Sequence, residues 1–175
     1  MDKTTSTLLI DFADPASIGL WQAIGDRVMG GLSSGTLLPD ASGGAVFCGS
    51  VSLANGGGFA SVRCQPGQRD LSAYDGLRLG VRGDGRPYKL SLLIDAGFDG
   101  ILYQGSFTAA PGEWQSIDLP FAAFVARRRG RTLAAAPALD PANVHGFGLM
   151  TDGRLPGPFR LELRALSAYS GATQT

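Results

Sequence analysis

Lysine and glutamate are nearly missing from this chain of 175 residues, which has two of each against 13 arginines and 13 aspartates. Lysine and glutamate favour helices, whereas aspartate and glycine favour turns. Glycine (26 residues) and proline (10 residues) together make up about a fifth of the chain, well above the roughly 12% of average usage. This composition predicts a mostly β protein with many turns.

Net charge and long apolar runs are lacking as well. The formal net charge is +0, which argues against nucleic acid as a partner. No apolar run approaches the roughly 20 residues of a transmembrane helix, so the chain is not expected to span a membrane. The apolar patch at residues 8–10 is too short for the core of a signal peptide. We therefore expect a cytoplasmic protein.

The residues of common metal and nucleophilic sites are scarce. The chain has one histidine, His145, and two cysteines, Cys48 and Cys64, which are too few and too far apart for a zinc site. The stretch Gly-Asp-Gly-Arg at residues 83–86 lacks the third glycine of a dinucleotide fingerprint and is better explained as a turn. The sequence therefore predicts no cofactor, no metal and no catalytic centre.

Two pairs of aspartates leave alternatives open. Asp95 with Asp99, or Asp70 with Asp75, could serve as the carboxylates of a glycosidase or as oxygen ligands of Ca²⁺. Aspartates beside glycines are also ordinary turn residues. We therefore keep the turn interpretation and predict that the protein is not an enzyme.

Short apolar segments with a two-residue period recur along the chain between glycine-rich turns. Hydrophobic residues make up 44% of the sequence, enough for one β-sandwich domain over residues 1–170 with a flexible tail at 171–175. About ten short strands without helical periodicity between them predict an antiparallel sandwich or barrel. Residues 121–138 are expected to form a long loop, the least regular part of the chain, with room for one helical turn. The predicted strands are residues 8–12, 36–38, 45–53, 59–64, 77–81, 88–94, 101–108, 114–119, 145–151 and 159–165.

The segment Asn-Gly-Gly-Gly at residues 55–58 is a strong hairpin signal, because these residues tolerate positive φ. If the hairpin is symmetric about Gly56, Cys64 lies opposite Cys48. Opposite side chains of an antiparallel pair have Cβ atoms about 4.5–5.5 Å apart. The sequence thus predicts two neighbouring thiols, which stay reduced in the cytosol.

Several blocks, taken together and in order, resemble the complex I intermediate-associated protein domain of respiratory NADH:ubiquinone oxidoreductase assembly factors. The resemblance covers residues 8 to 168, and the chain is similar to a stand-alone bacterial member. It implies an all-β, antiparallel jelly-roll sandwich of the galactose-binding-like type and a non-enzymatic role. The blocks are Trp21 with Asp-Arg-Val-Met-Gly-Gly-Leu-Ser at 26–33, then residues 47–49, 55–63, 70–77, 83–88, 114–115, 119–121 and 157–163.

Within these blocks, eight residues are candidates for contact with a partner or ligand: Trp21, Arg27, Asn55, Arg63, Asp84, Arg86, Tyr88 and Trp114. An arginine such as Arg27 or Arg63 can present its planar fork to a carboxylate or carbonyl. The structural alternatives are a buried network around Asp26 and Arg27, and a turn stabilised by Asp84 and Arg86. The aromatic residues would then belong to the core instead of an exposed stacking face.

Three functions follow from these observations. The first is a protein-binding module that resembles a complex I assembly factor, with a chaperone-like or scaffold role and assembly intermediates as partners. The alternative is a module of the galactose-binding-like type that binds a carbohydrate, such as a glycan, or another small ligand. An enzyme is the third. The basic cluster Arg-Arg-Arg-Gly-Arg at residues 127–131 is interpreted as a loop that forms salt bridges or contacts an acidic protein surface.

Overall fold

The computed structural model describes residues 5–24, 33–95 and 100–171, in which thirteen strands form two antiparallel sheets. A four-residue helix, α1 (Pro15–Ile18), and two 3-10 turns, Ala54–Gly56 and Phe121–Ala123, complete the regular structure of these ranges. The strands are β1 (Thr5–Asp11), β2 (Trp21–Ala23), β3 (Ser34–Pro39), β4 (Ala45–Val51), β5 (Ser61–Cys64), β6 (Gly76–Arg82), β7 (Pro87–Leu93), β8 (Leu102–Thr108), β9 (Gln115–Pro120), β10 (Val125–Arg128), β11 (Arg131–Thr132), β12 (Gly146–Thr151) and β13 (Gly157–Ser170).

The first sheet is built around the 14-residue strand β13. Its strand order is β3-β4-β13-β6-β9, and β1 also pairs with β13. Strand β4 pairs with residues 157–163 of β13 and β1 with residues 165–170, so the two share one edge of that strand, while β6 occupies the other edge. The second sheet has the order β11-β10-β8-β7-β12-β5-β2.

The core lies between the two sheets, and the two-residue period of the strands determines which side chains enter it. Phe47 and Phe159 of the first sheet have ring centroids 4.9 Å apart. Tyr88 of the second sheet packs against Phe47, with centroids 6.3 Å apart, and against Phe107 at 6.1 Å. The predicted alternation in β6 and β7 is confirmed, because their apolar side chains Leu77, Leu79, Val81, Tyr88, Leu90 and Leu92 are all at most 1% exposed.

Two predictions about the connections are wrong. Residues 55–58 do not close a hairpin, since β4 belongs to the first sheet and β5 to the second. They carry the chain from one sheet to the other through the 3-10 turn Ala54–Gly56, with Asn55 at φ 55°. The 121–138 segment is not wholly irregular, because it contains β10 and β11, and β10 pairs with β8.

The two cysteines are free thiols, as expected, but they are not neighbours. Cys48 pairs in register with Thr36 and Arg160 in the first sheet, whereas Cys64 pairs with Trp21 and Phe147 in the second. Cys64 is 2% exposed and points into the core. The failed hairpin is the reason, because the predicted symmetry about Gly56 required both strands to share one sheet.

The two thiols should differ in reactivity. Burial raises the pKa of Cys64 to about 11, and a thiol reacts through its thiolate. Titration of the folded protein with a thiol reagent at pH 8 should therefore modify one cysteine quickly, and two in denaturant. The Cys48→Ser variant should lose the fast phase; equal rates for both thiols in the native protein would contradict the burial of Cys64.

Candidate functional site

The outer face of the second sheet presents a row of side chains that cross the strands in register. Arg63 of β5 lies opposite Gly148 of β12, which lies opposite Ser91 of β7, and Ser91 lies opposite Gln104 of β8. These residues alternate with the core residues of the same strands, so they face away from the core. Val125 of β10 continues the row beside Gln104.

This face forms the floor of a cleft of about 920 Å³. Its volume lies at the upper end of the roughly 300–1,000 Å³ typical of ligand sites. The floor comes from strands β5, β7, β8, β10 and β12, and the rim comes from the loops at residues 56–59, 129–130 and 152–154. The side chains that contribute charge or hydrogen bonds are Arg63, Lys89, Gln104, Arg127, Arg129, Asp152 and Arg154.

Positive charge dominates the described lining of the cleft. Five cationic side chains accompany one carboxylate, that of Asp152. Asp152 is held in place by Lys89, whose Nζ lies 3.2 Å from Oδ1, and by the amide of Gly153, which donates to Oδ1 at 2.8 Å. The described lining of the cleft therefore contains more cationic side chains than carboxylates.

The floor of the cleft also contains one fixed amide. Gln104 is 5% exposed, and its Nε2 donates to Ser91 Oγ at 3.0 Å. The same atom lies 3.9 Å from the sulfur of Met150. These contacts hold the side chain in one orientation, because each of them restricts the rotation of the amide.

The basic cluster at residues 127–131 is a β-hairpin at one end of the cleft. Arg128 pairs with Arg131 across a two-residue turn made by Arg129 (φ 50°) and Gly130 (φ 78°). Two consecutive positive φ values are characteristic of the type I′ turn that matches the twist of a hairpin. The hairpin places Arg127 and Arg129 against the cleft.

Three of the predicted site residues belong to the part of the sandwich that contains the cleft, but only one of them lines it. Arg63 lines it, and Asn55 precedes Gly56, which forms part of its rim. Trp21 faces the core, where its ring lies 5.8 Å from that of Phe12, and its Nε1 has no acceptor among the residues that the structure describes. Arg27 lies outside the described residues, as does Asp99 of the carboxylate pairs.

A second group of predicted residues lies at the crossing from β6 to β7. Asp84 Oδ1 accepts from the amide of Arg86 at 3.0 Å, and Oδ2 accepts from Tyr88 Oη at 2.9 Å and from the amide of Arg160 at 2.8 Å. Arg86 donates to the carbonyl oxygens of Leu155 and Pro156, both at 2.8 Å. The turn at residues 83–86 is present as expected. Its side chains also connect the two sheets and bind the loop that follows β12.

Tyr88 belongs to the core and not to an exposed face. Its side chain is 0% exposed, so it has no surface to offer a partner. Burial and the neighbouring Asp84 carboxylate both raise the pKa of its hydroxyl. The predicted contact role of Tyr88 is thus replaced by packing and by the hydrogen bond to Asp84.

Trp114 lies on the outer face of the first sheet, on the other side of the sandwich from the cleft. Its ring is covered by Arg164, with the guanidinium carbon 3.8 Å from the ring centroid, and by Arg82 at 5.1 Å. Arg82 also forms a bidentate pair with Glu162. Two guanidinium groups lie over the ring, so Trp114 is not available as an open stacking platform.

The predicted residues are therefore divided among three places, and the cleft contains residues that the motifs did not reveal. Lys89, Gln104, Arg127, Asp152 and Arg154 line it but stand outside the predicted set. The polar positions of the two-residue alternation mark Lys89 as outward-facing. No local signal shows that β5, β8 and β10 contribute to the same surface.

Comparison with known proteins adds a family and a fold. The model of the family described as Complex I intermediate-associated protein 30 (CIA30) matches residues 10–163. The mitochondrial Complex I intermediate-associated protein 30 of Drosophila melanogaster is 28% identical over 178 residues, covering 89% of this chain and 60% of that protein. The mouse protein of the same name is 27% identical, covering 61% of this chain and 34% of its own length. The chain thus spans less than two thirds of the length of these relatives.

Solved structures with the same fold include carbohydrate-binding modules. The Family 11 Carbohydrate-Binding Module from Clostridium thermocellum, in complex with a β-1,3-1,4-mixed-linked tetrasaccharide, has a TM-score of 0.66 at 18% identity, covering 97% of this chain and 98% of the module. The agarase AgWH50C has a TM-score of 0.62 at 12% identity, covering 97% of this chain and 25% of the enzyme. These similarities confirm the expected galactose-binding-like β-sandwich.

Proposed function

This chain belongs to the Complex I intermediate-associated protein 30 family, and on that premise we propose that it is a non-enzymatic, protein-binding assembly factor. The observation that carries the proposal is the extent of the family match, since residues 10–163 include most of both sheets and every described residue that lines the cleft. We propose assembly intermediates of respiratory complex I as the partner. The proposed location is the cytoplasm, with peripheral contact at the inner face of the respiratory membrane.

The chemistry of the cleft supports a binding role. Its described lining has one carboxylate, and that carboxylate is paired with Lys89. General acid–base catalysis needs a positioned group that can exchange a proton near neutral pH, and the arginines of the lining stay protonated.

Among the helices that the structure describes, none is long and apolar enough to cross a membrane.

The proposal is tested by deletion and capture in the organism that encodes the chain. Loss of the protein should lower complex I activity severalfold and lead to accumulation of incomplete membrane-arm intermediates on native gels. A tagged copy should restore activity and co-purify with those intermediates. Normal complex I assembly in the deletion strain would remove the respiratory role.

A carbohydrate-binding role is the second candidate, and the fold of the Family 11 module favours it. Phe59 is the one aromatic side chain in the described lining of the cleft, so little ring surface is available for stacking on a sugar. The test is the melting temperature with a mixed-linked β-glucan tetrasaccharide. A ligand at 100 times its Kd stabilises by about 2.7 kcal/mol, so a clear upward shift would support this role and no shift would exclude that sugar.

A further inference from the structure

Part of the rim of the cleft is a loop that buries little of its own surface. Residues 153–156, which follow β12, are all exposed, and the side chain of Leu155 is 43% exposed. Gly153 (φ 77°) and Arg154 (φ 50°) turn this loop back toward β13. A segment with few buried apolar contacts opens easily. The position of the loop should therefore depend on the hydrogen bonds that its backbone makes.

Arg86 supplies two of these hydrogen bonds. Its Nη1 donates to the carbonyl oxygen of Leu155 and its Nη2 to that of Pro156, both at 2.8 Å. The close approach of the guanidinium is possible because residue 157 is a glycine, at φ 102°, where a Cβ would be only 3.3 Å from Nη2. A planar fork can donate to two acceptors at once in one fixed geometry. Arg86 thus holds the end of the loop.

The turn at residues 83–86 also holds Arg86 and the start of the loop. Asp84 Oδ1 accepts from the amide of Arg86 at 3.0 Å, which fixes the backbone from which the guanidinium extends. The amide of Asp152, the first residue of the loop, donates to the carbonyl oxygen of Pro87 at 3.1 Å. Two consecutive residues, Arg86 and Pro87, therefore anchor the two ends of the loop.

Three blocks of the family resemblance meet at this loop, although they are far apart in the chain. Arg86 belongs to one block, and the carbonyl groups that it binds immediately precede the block at residues 157–163. Arg154 lies over Gly58 of the block at residues 55–63, where a Cβ would be only 2.9 Å from its Cζ. Arg86 itself is not among the described residues that line the cleft. These blocks thus build the rim from behind.

We propose that Arg86 is a positioning residue for partner binding, because it holds the 152–156 loop where Asp152, Gly153 and Arg154 form part of the rim of the cleft. This inference rests on the proposed protein-binding function and specifies the part of the surface that the partner contacts. Without the two hydrogen bonds the loop would have to be ordered when the partner binds, and that ordering would weaken the complex.

Hydrogen exchange followed by mass spectrometry tests the first half of the proposal. In Arg86→Gln the amides of residues 152–157 should exchange about tenfold faster than in the wild type, since hydrogen bonds to a charged group are the stronger kind. Peptides from β8 should change less than twofold. The matched control is Arg78→Gln, which removes another guanidinium with two hydrogen bonds, to Asp118 on the first sheet. It should leave the exchange of residues 152–157 unchanged.

Capture of complex I intermediates by tagged variants tests the second half. Arg86→Gln should capture at least fivefold less than the wild type, whereas Arg78→Gln should capture within twofold of it. Arg86→Lys should recover only part of the loss, because an ammonium lacks the planar fork. A role in stability alone would not make capture follow the exchange rate of the loop. Thermal melts show that each variant is folded before capture is compared.

Several outcomes would overturn the inference. Equal exchange of residues 152–157 in Arg86→Gln and the wild type would show that other contacts hold the loop. Equal losses of capture in Arg86→Gln and Arg78→Gln would assign the effect to stability. If Arg86→Gln captured intermediates as the wild type does, the assembly role would stand and the positioning role alone would fall. If the wild type captured none, the assembly role itself would fall, and the binding role of Arg86 with it.

Discussion

Replacing Phe47 with alanine should lower the free energy of unfolding by about 4 kcal/mol, in the range measured for buried phenylalanines. Phe47 is 0% exposed and packs against Phe159 of its own sheet and Tyr88 of the opposite sheet. Its removal leaves a cavity between the two sheets. For a chain of this size the melting temperature should fall by roughly 10 °C, which calorimetry or circular dichroism can measure.

The control for this prediction is Leu38→Ala in the neighbouring strand β3. Leu38 is 46% exposed, so the same substitution to alanine should cost under about 1 kcal/mol. A Phe47→Ala protein that melts within a degree or two of the wild type would show that the two sheets do not pack through this cluster.

The second large effect is expected for Asp84→Ala, which should cost about 3 kcal/mol. The carboxylate accepts hydrogen bonds from Tyr88 Oη and from the amides of Arg86 and Arg160. Its loss leaves the hydroxyl of a fully buried tyrosine without an acceptor, and each such buried group costs about 1–3 kcal/mol. Chemical denaturation gives the change in free energy directly.

Asp70→Ala is the matched control, because Asp70 is exposed and, within the described ranges, accepts hydrogen bonds from the amide and hydroxyl of Ser72 in its own turn. It should cost under about 1 kcal/mol. The comparison separates a local turn from a junction between sheets; equal losses for the two variants would mean that Asp84 also acts only within its turn.

The two-residue alternation of apolar and polar side chains was sufficient to predict a strand and its buried face wherever one face of the strand packs on the core and the other does not. Leu77, Leu79 and Val81 alternate with polar or small residues, and the structure buries all three. The edge strand β2 and the short strand β10 were not predicted from the sequence, because their alternation is short and weak. The charges of Arg127 and Arg128 favoured a loop in the sequence-based prediction, although β10 pairs with β8 over three residues.

The segment at residues 55–58 shows why turn chemistry does not fix topology. Asparagine and glycine permit positive φ, and that freedom serves a hairpin or a crossing between sheets equally well. The prediction that Cys48 faces Cys64 was wrong because residues 55–58 form a crossing between sheets and not a hairpin. The turn at residues 83–86 behaves in the same way, since it connects β6 of the first sheet to β7 of the second.

The sequence by itself determined the β class, most of the strands and the family. Composition, two-residue periodicity and the order of the motifs are sufficient for these features, because each of them is a property of single segments or of their order along the chain. Only the tertiary structure decided which strands share a sheet and therefore which side chains share a surface. Arg63, Lys89, Gln104, Arg127 and Arg154 come from five separate segments and meet in one cleft. The physical reason is that strand pairing is a long-range choice, made by the packing of the whole sandwich and not by any one segment.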